Sequence, residues 1–300
     1  MDTTQAKGII ESLRYGIPPD GYICELTVGR EEEIESLRNK LQENKSETLL
    51  LNANYGAGKT HLLRFIREEA LRKRWMVSLV TLDSKSGVRF DRLGQIIGAI
   101  CRNLEVPECE GKGIRYLLNV FRDKAKNYEI EEAIWNQLHN NCKWDRIQFF
   151  ETEPFFLGLR AWHFCDQDIE EYIVNWFQSP DKNSDGRPTY VYKTLVSGMR
   201  RFFRDARPRE YFSNEKLNLS RNDVLCWAFL RDLHRAAQTI GLKGLILCFD
   251  EFEDIIYNMT RLDQKKMSFC NMFELFYGHN YRAQAYFAVT PDFVQKCKHV

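Results

Sequence analysis

Eight consecutive residues, Ala53-Asn54-Tyr55-Gly56-Ala57-Gly58-Lys59-Thr60, constrain this chain more than any other stretch. They follow a compact apolar run, Thr48–Asn52 (TLLLN), which reads as a buried strand, and they lead into an amphipathic segment, HLLRFIREEALRKR. The octet matches the pattern G-x-x-x-x-G-K-[ST] in all but its first glycine, here Ala53. In such a loop, small residues let successive backbone N–H groups curl around phosphates, and the following helix adds its positive end. Lys59 would bridge the outer phosphates and the Thr60 hydroxyl would ligate Mg²⁺. Gly56 and Gly58 supply the backbone freedom, whereas Ala53 requires a conformation open to any residue. The alternative is a glycine turn that does no more than cap a helix.

The flanking pattern supports the first reading. Trp75–Leu82 (WMVSLVTL) is a second strand and Arg89–Leu104 a further helix, so strand and helix alternate as in a parallel sheet with crossover helices. Upstream, Ala6–Tyr15 reads as a short helix and Pro18-Pro19 as extended chain. A helix then starts after Gly29, with Ile34, Leu37 and Leu41 on one face and Glu31–Glu33 in its first turn. From Glu105 to Ser220 the patterns are helical and rich in aromatics, punctuated by Pro107, Pro154, Pro180 and the turn Asp181–Pro188. Beyond lie a helix Asn222–Ile240, with Leu225, Phe229, Leu233, Ala236 and Ile240 on one side, and a strand Gly244–Phe249. A helix Asp263–Tyr277 and a strand Ala283–Val289 follow. The chain thus divides into an N-terminal helical and linker segment (1–45), the first half of an α/β core (46–104), a helical insertion (105–220) and the second half of the core (221–300).

Two strand ends carry further chemistry. Leu245-Ile246-Leu247-Cys248-Phe249-Asp250-Glu251 is an apolar strand ending in adjacent acids. Asp250 would orient a Mg²⁺-bound water and Glu251 would polarise an attacking one. Otherwise the pair caps a helix Phe252–Met259, with Glu253 and Asp254 in its first turn. Glu253 is the second candidate base, but two residues along a helix start it points elsewhere. Tyr286-Phe287-Ala288-Val289-Thr290 is a strand whose terminal hydroxyl is positioned to sense a γ-phosphate.

Composition sets the remaining bounds. With 43 Lys+Arg against 42 Asp+Glu the formal charge is +1, which excludes a generally basic nucleic-acid coat. No apolar run approaches the ~18 residues of a membrane helix. The N-terminus lacks a secretory pattern, which leads us to expect a cytoplasmic protein. Nine unevenly spaced Cys, including Cys226, Cys248 and Cys270 inside apolar patterns, read as core thiols of a reducing compartment. Arg200, Arg201, Arg204, Arg207 and Arg209, interleaved with Phe202, Phe203 and Tyr211, could form a nucleic-acid edge. The reading we favour is a solvated helix face. His163 and Cys165, with Cys142 upstream, lack the paired spacing of a zinc site and read as core.

Together these features resemble P-loop ATPases of the AAA+ type. The segment GIIESLRYGIPPDGYICELTVGREEEIESL, the loop NANYGAGKTHLLRFIREEAL, the insertion, LILCFDEFEDI and YFAVTPDF are similar to the ATP-binding proteins of bacteriophage-exclusion (BREX) systems, the BrxC/BrxD type. The resemblance implies ATP and Mg²⁺ as ligands, with Gly29 and Arg30 beside Val28 near the adenine and ribose. It places Tyr55, Gly56, Ala57, Gly58, Lys59, Thr60 and His61 at the phosphates, Thr60 and Asp250 at Mg²⁺, and Lys59, Glu251 and Thr290 in catalysis. It further implies a switch or motor in anti-phage defence, with partner proteins, DNA, and assembly as a homo-oligomer or hetero-complex. The alternative is a nucleotide-gated scaffold with negligible turnover. Such ATPases continue past the sensor strand into a further strand, an arginine finger and a helical lid, whereas this sequence stops at Val300. Weak turnover by the chain alone is therefore expected.

Overall fold

Alternating strands and helices produce a five-stranded sheet in the order β1-β5-β4-β2-β3. The computed structural model describes residues 3–15, 19, 21–43, 47–83, 86–139, 149–164, 167–178, 223–253, 259–278, 281 and 284–297. The arginine cluster at 200–209, the turn at 181–188, Cys142 and Cys165 lie outside them. The strands are β1 (Thr48–Asn52), β2 (Met76–Thr81), β3 (Leu104–Glu105), β4 (Leu245–Asp250) and β5 (Gln284–Val289). The β1–β5, β5–β4 and β4–β2 pairs are parallel, and among the described strands only the two-residue β3 runs antiparallel, on β2.

Alternation along the strands gives the sheet two apolar faces. Val77, Ile246, Cys248, Tyr286 and Ala288 meet the first helical layer. That layer is α2 (Ile23–Leu26), α3 (Glu31–Glu43) and α4 (Lys59–Arg72); α1 (Thr3–Arg14) precedes it. Ile34, Leu37 and Leu41 of α3 are buried there as their spacing predicts. On the other face, Met76, Val80, Leu245, Leu247, Phe249, Ala285, Phe287 and Val289 share one apolar cluster with the remaining helices. These are α5 (Leu93–Arg102), α6 (Ile114–Lys126), α7 (Glu132–His139), α8 (Glu153–Phe164) and α9 (Gln167–Gln178). The layer continues with α10 (Asp223–Thr239), α11 (Leu262–Tyr277) and α12 (Pro291–Cys297).

Three local expectations are corrected. β1 pairs only with β5 among the described strands, and it is half-exposed rather than buried, with Leu50 on its open side. The helix expected over Arg89–Leu104 ends at Arg102, because Leu104 and Glu105 leave it to join the sheet. Cys101, Cys226 and Cys248 are buried, but Cys270 is exposed on α11.

Two buried carboxylates fasten neighbouring segments within each layer. Glu68 of α4 accepts backbone N–H bonds from Gly21 (2.5 Å), Ile23 (3.0 Å) and Cys24 (3.2 Å), holding the chain that leads into α2. Asp232 of α10 accepts from the N–H groups of Glu151 (2.7 Å) and Thr152 (2.8 Å) and from the Thr152 hydroxyl (2.6 Å), capping α8.

Candidate functional site

Because four strands are parallel, β1, β5, β4 and β2 all deliver their carboxyl ends to one edge of the sheet. The chain leaving β1 runs through α4 on one face, and the chain entering β5 comes through α11 on the other. A crevice at the carboxyl edge where connections diverge is where open α/β sheets bind ligands.

The Ala53–Thr60 loop occupies this edge. The Ala53 N–H donates to the carbonyl of Val289 (3.2 Å), tying the start of the loop to the end of β5. The Ala57 N–H donates to the Asn54 carbonyl (3.1 Å), closing a turn. Gly56 and Gly58 have φ of 77° and 81°, so both glycines take the left-handed backbone expected of them, whereas Ala53 does not. Gly58 is the N-cap of α4 and its carbonyl accepts the Leu62 N–H (3.0 Å). Lys59 folds back over the loop, its Nζ donating to the carbonyls of Ala53 (3.1 Å) and Asn54 (3.4 Å). Thr60 is exposed in the first turn of α4, and Tyr55 stands almost wholly in solvent at the tip.

The N-terminal segment lies against this loop. The Arg30 guanidinium donates to the Ala57 carbonyl, and a Cβ on Gly58 would come within 3.1 Å of Arg30 Nη2. Gly29, at φ 73°, donates its N–H to Glu31 (3.0 Å). His61 Nε2 meets Thr27 Oγ1 at 2.8 Å, while the Thr27 hydroxyl also reaches the Ile23 carbonyl at 2.6 Å. A hydroxyl has one proton; given to Ile23, it makes His61 Nε2 the donor. Burial, followed by Arg30 and Arg64, lowers the His61 pKa and keeps the ring neutral. His61 therefore fastens α4 to the N-terminal segment.

The acidic strand end lies one strand away, with β5 between it and β1. Asp250 is buried, and its Oδ1 accepts the N–H of Glu251 (3.0 Å). Glu251 is exposed, at a φ of 55°. The chain turns sharply there and sends Phe252 into the core against Phe90, Phe287 and Phe293, with centroids 4.8, 4.7 and 5.6 Å away. The next residue returns to the loop: Glu253 Oε1 lies 3.8 Å from Lys59 Nζ, and both side chains are largely buried. Glu253 thus faces the loop, contrary to the expectation that it points elsewhere. Thr290 is half-buried directly after β5, and its carbonyl accepts the Val294 N–H (3.3 Å) at the start of α12. The pairing of Asn52 with Val289 sets it beside Ala53.

Sequence reasoning missed Glu68 and the contact of Arg30 with the loop. Glu68 sits in a run of charged helix residues, REEALRKR, where nothing in the pattern separates a buried carboxylate from a solvated one.

Residues 1–143 match the family model described as BREX system ATP-binding protein BrxC/D. Neither the curated proteins nor the solved structures give a match. The matched span contains the Arg30 contact and the whole Ala53–Thr60 loop, and ends before β4, which bears Asp250, and β5, which Thr290 follows. Over residues 1–143 the chain is therefore similar to ATP-binding proteins of the BrxC/BrxD type.

Proposed function

We propose that the chain binds ATP with Mg²⁺ on the Ala53–Thr60 loop and hydrolyses it, acting as an AAA+ type switch or motor in anti-phage defence. Partner proteins and DNA would receive the resulting movement. The observation that carries this reading is the convergence of Lys59 with the acidic end of β4, expressed in the 3.8 Å approach of its amine to Glu253. The left-handed glycines and the N-terminus of α4 fit a polyphosphate, whose anionic oxygens such groups attract. The exposed Thr60 hydroxyl and the Asp250 carboxylate are oxygen donors of the kind Mg²⁺ prefers. When bound, the ion would neutralise charge developing on the phosphate oxygens.

In this reading Lys59 leaves the carbonyls of Ala53 and Asn54 for the β- and γ-phosphates, and Arg30 holds the loop open for them. A glutamate after β4, which the sequence pattern assigns to Glu251, handles the attacking water, and Thr290 contacts the γ-phosphate. Titration with a fluorescent ATP analogue, phosphate-release assays and mass measurement with and without ATP test the reading. Saturable binding lost in Lys59→Ala is expected. Undetectable binding by the wild type would refute it, and ATP-dependent assembly without phosphate release would favour the scaffold.

A further inference from the structure

We propose that His139 and His163 are ligands of a bound divalent metal ion of the zinc class, at the junction of α7 and α8. The site is separate from the Ala53–Thr60 loop and does not rest on the reading of that loop. His139 ends α7 and His163 is the last residue but one of α8, so both rings stand at helix C-termini, where the helix dipole favours a cation. The two Nε2 atoms face each other at 3.1 Å. The ring centroids are 4.8 Å apart, with an angle of 79° between the planes. Two imidazoles pointing straight at each other across that gap would have centroids about 5.4 Å apart, so the rings meet at an angle. Two nitrogens each about 2.0–2.1 Å from one ion, at an angle of about 100°, reproduce both separations.

The protonation pattern suits ligation. His139 Nδ1 donates to the Trp135 carbonyl (2.9 Å), which fixes the proton there and leaves the Nε2 lone pair for a ligand. A ring N–H held by a carbonyl is the usual support of a metal-bound histidine. Trp135 also stacks on the His139 ring at 3.9 Å between centroids, and Phe164 packs edge-on against both imidazoles at 5.2 and 4.7 Å. His163 has no comparable anchor: its Nδ1 is buried without a hydrogen-bond partner, and its Nε2 faces only His139 among the described residues. Burial, followed by His139, Lys126 and Arg122, lowers the His163 pKa to about 4, so the ring is neutral at pH 7. Arg122 is itself paired with Glu170 (2.7 Å), which reduces its opposition to a cation. Ligation shifts the His163 proton from Nε2 to Nδ1 and leaves the charge of the pair unchanged.

Among the described residues no third His, Cys, Asp or Glu joins the two to make a cluster of three. In the sequence a cysteine follows each histidine closely, Cys142 by three residues and Cys165 by two. Both cysteines lie outside the described residues, and the site is assigned to the two imidazoles. Imidazole suits Zn²⁺ and its first-row neighbours, whereas Mg²⁺ and Ca²⁺ take oxygen ligands. An ion held between His139 and His163 would pin the end of α7 to the end of α8.

The test strips metal from the full-length, untagged chain and titrates it with Zn²⁺ in competition with a chromophoric chelator. Wild type should take up a Zn²⁺ ion that His139→Phe and His163→Phe each lose or bind at least about tenfold more weakly. Zn²⁺ should raise the wild-type melting temperature, Mg²⁺ should not, and neither variant should respond to Zn²⁺. Melting in excess chelator establishes that the variants fold, and His163→Gln, which is smaller and polar, takes the place of His163→Phe if that variant melts early. No zinc uptake by the wild type would overturn the assignment. So would uptake unchanged in either variant, which would place the ion on other groups. Variants that lower the melting temperature equally with and without Zn²⁺ would also overturn it, leaving the pair as a hydrogen bond between two helices.

Discussion

Asp232 offers a test of how two helices of one layer, α8 and α10, are fastened together. Its carboxylate is fully buried and accepts three hydrogen bonds, yet burial outweighs them and pushes its pKa from an ordinary 3.8 to about 6. A carboxyl with a raised folded-state pKa binds its proton more tightly folded than unfolded. Between pH 3.8 and 6 stability through this group therefore falls as pH rises, and above pH 6 the loss is complete. Linkage with these two values gives about 1 to 2 kcal/mol more stability at pH 5 than at pH 7.5. Glu151, whose charge also acts on Asp232, is held by Arg231 below its usual range and stays charged over this window. The perturbation is Asp232→Asn, which removes the titration and keeps one acceptor. Urea unfolding of both proteins at pH 5 and 7.5 isolates the group in the difference between them. The advantage of wild type over the variant should be larger at pH 5 by that amount. A difference independent of pH, or one growing as pH rises, would refute the claim that burial dominates the three hydrogen bonds.

Two further outcomes concern α4, the helix that follows the loop. Gly58→Ala places a side chain at a φ of 81° and against Arg30, so melting should show a loss of about 1 to 2 kcal/mol and ATP titration a fall in affinity of at least about tenfold. Glu68→Ala removes the acceptor of three N–H groups, one of them on the buried Ile23. Urea unfolding should show a loss of roughly 2 to 4 kcal/mol, with faster hydrogen exchange at residues 21–24, and Glu68→Gln should lose less.

The loop and the alternation around it were legible because they rest on local rules. Gly56 and Gly58 take the backbone that only glycine adopts cheaply, and α4 starts where the lysine follows them. What misled were features decided by distant partners. TLLLN reads the same in the centre or at the edge of a sheet, and its half-exposed pattern follows from having β5 as its only described neighbour. Leu104 and Glu105 are too few to display a period, so a preceding helix absorbs them in a pattern-based reading. The pattern places Glu253 in the continuation of a helix start. Its direction is set instead by Phe252 entering an aromatic cluster with Phe90, Phe287 and Phe293, which come from three other parts of the chain. Asp232 and Glu68 are carboxylates on amphipathic helices, and their partners are 80 and 45 residues away.

The pairing of β1 has a consequence for how the protein comes into being. Thr48 meets Ala285 and Asn52 meets Val289, so the strand that carries the loop is made early and receives its described sheet partner last. At ribosomal speeds of about 5–20 residues per second the wait lasts on the order of tens of seconds. Throughout it the bond from Ala53 to Val289 cannot form, and the loop lacks the anchor at its entrance. Nascent chains should thus be unable to grip nucleotide until the sheet is complete, a built-in delay that separates synthesis from activity.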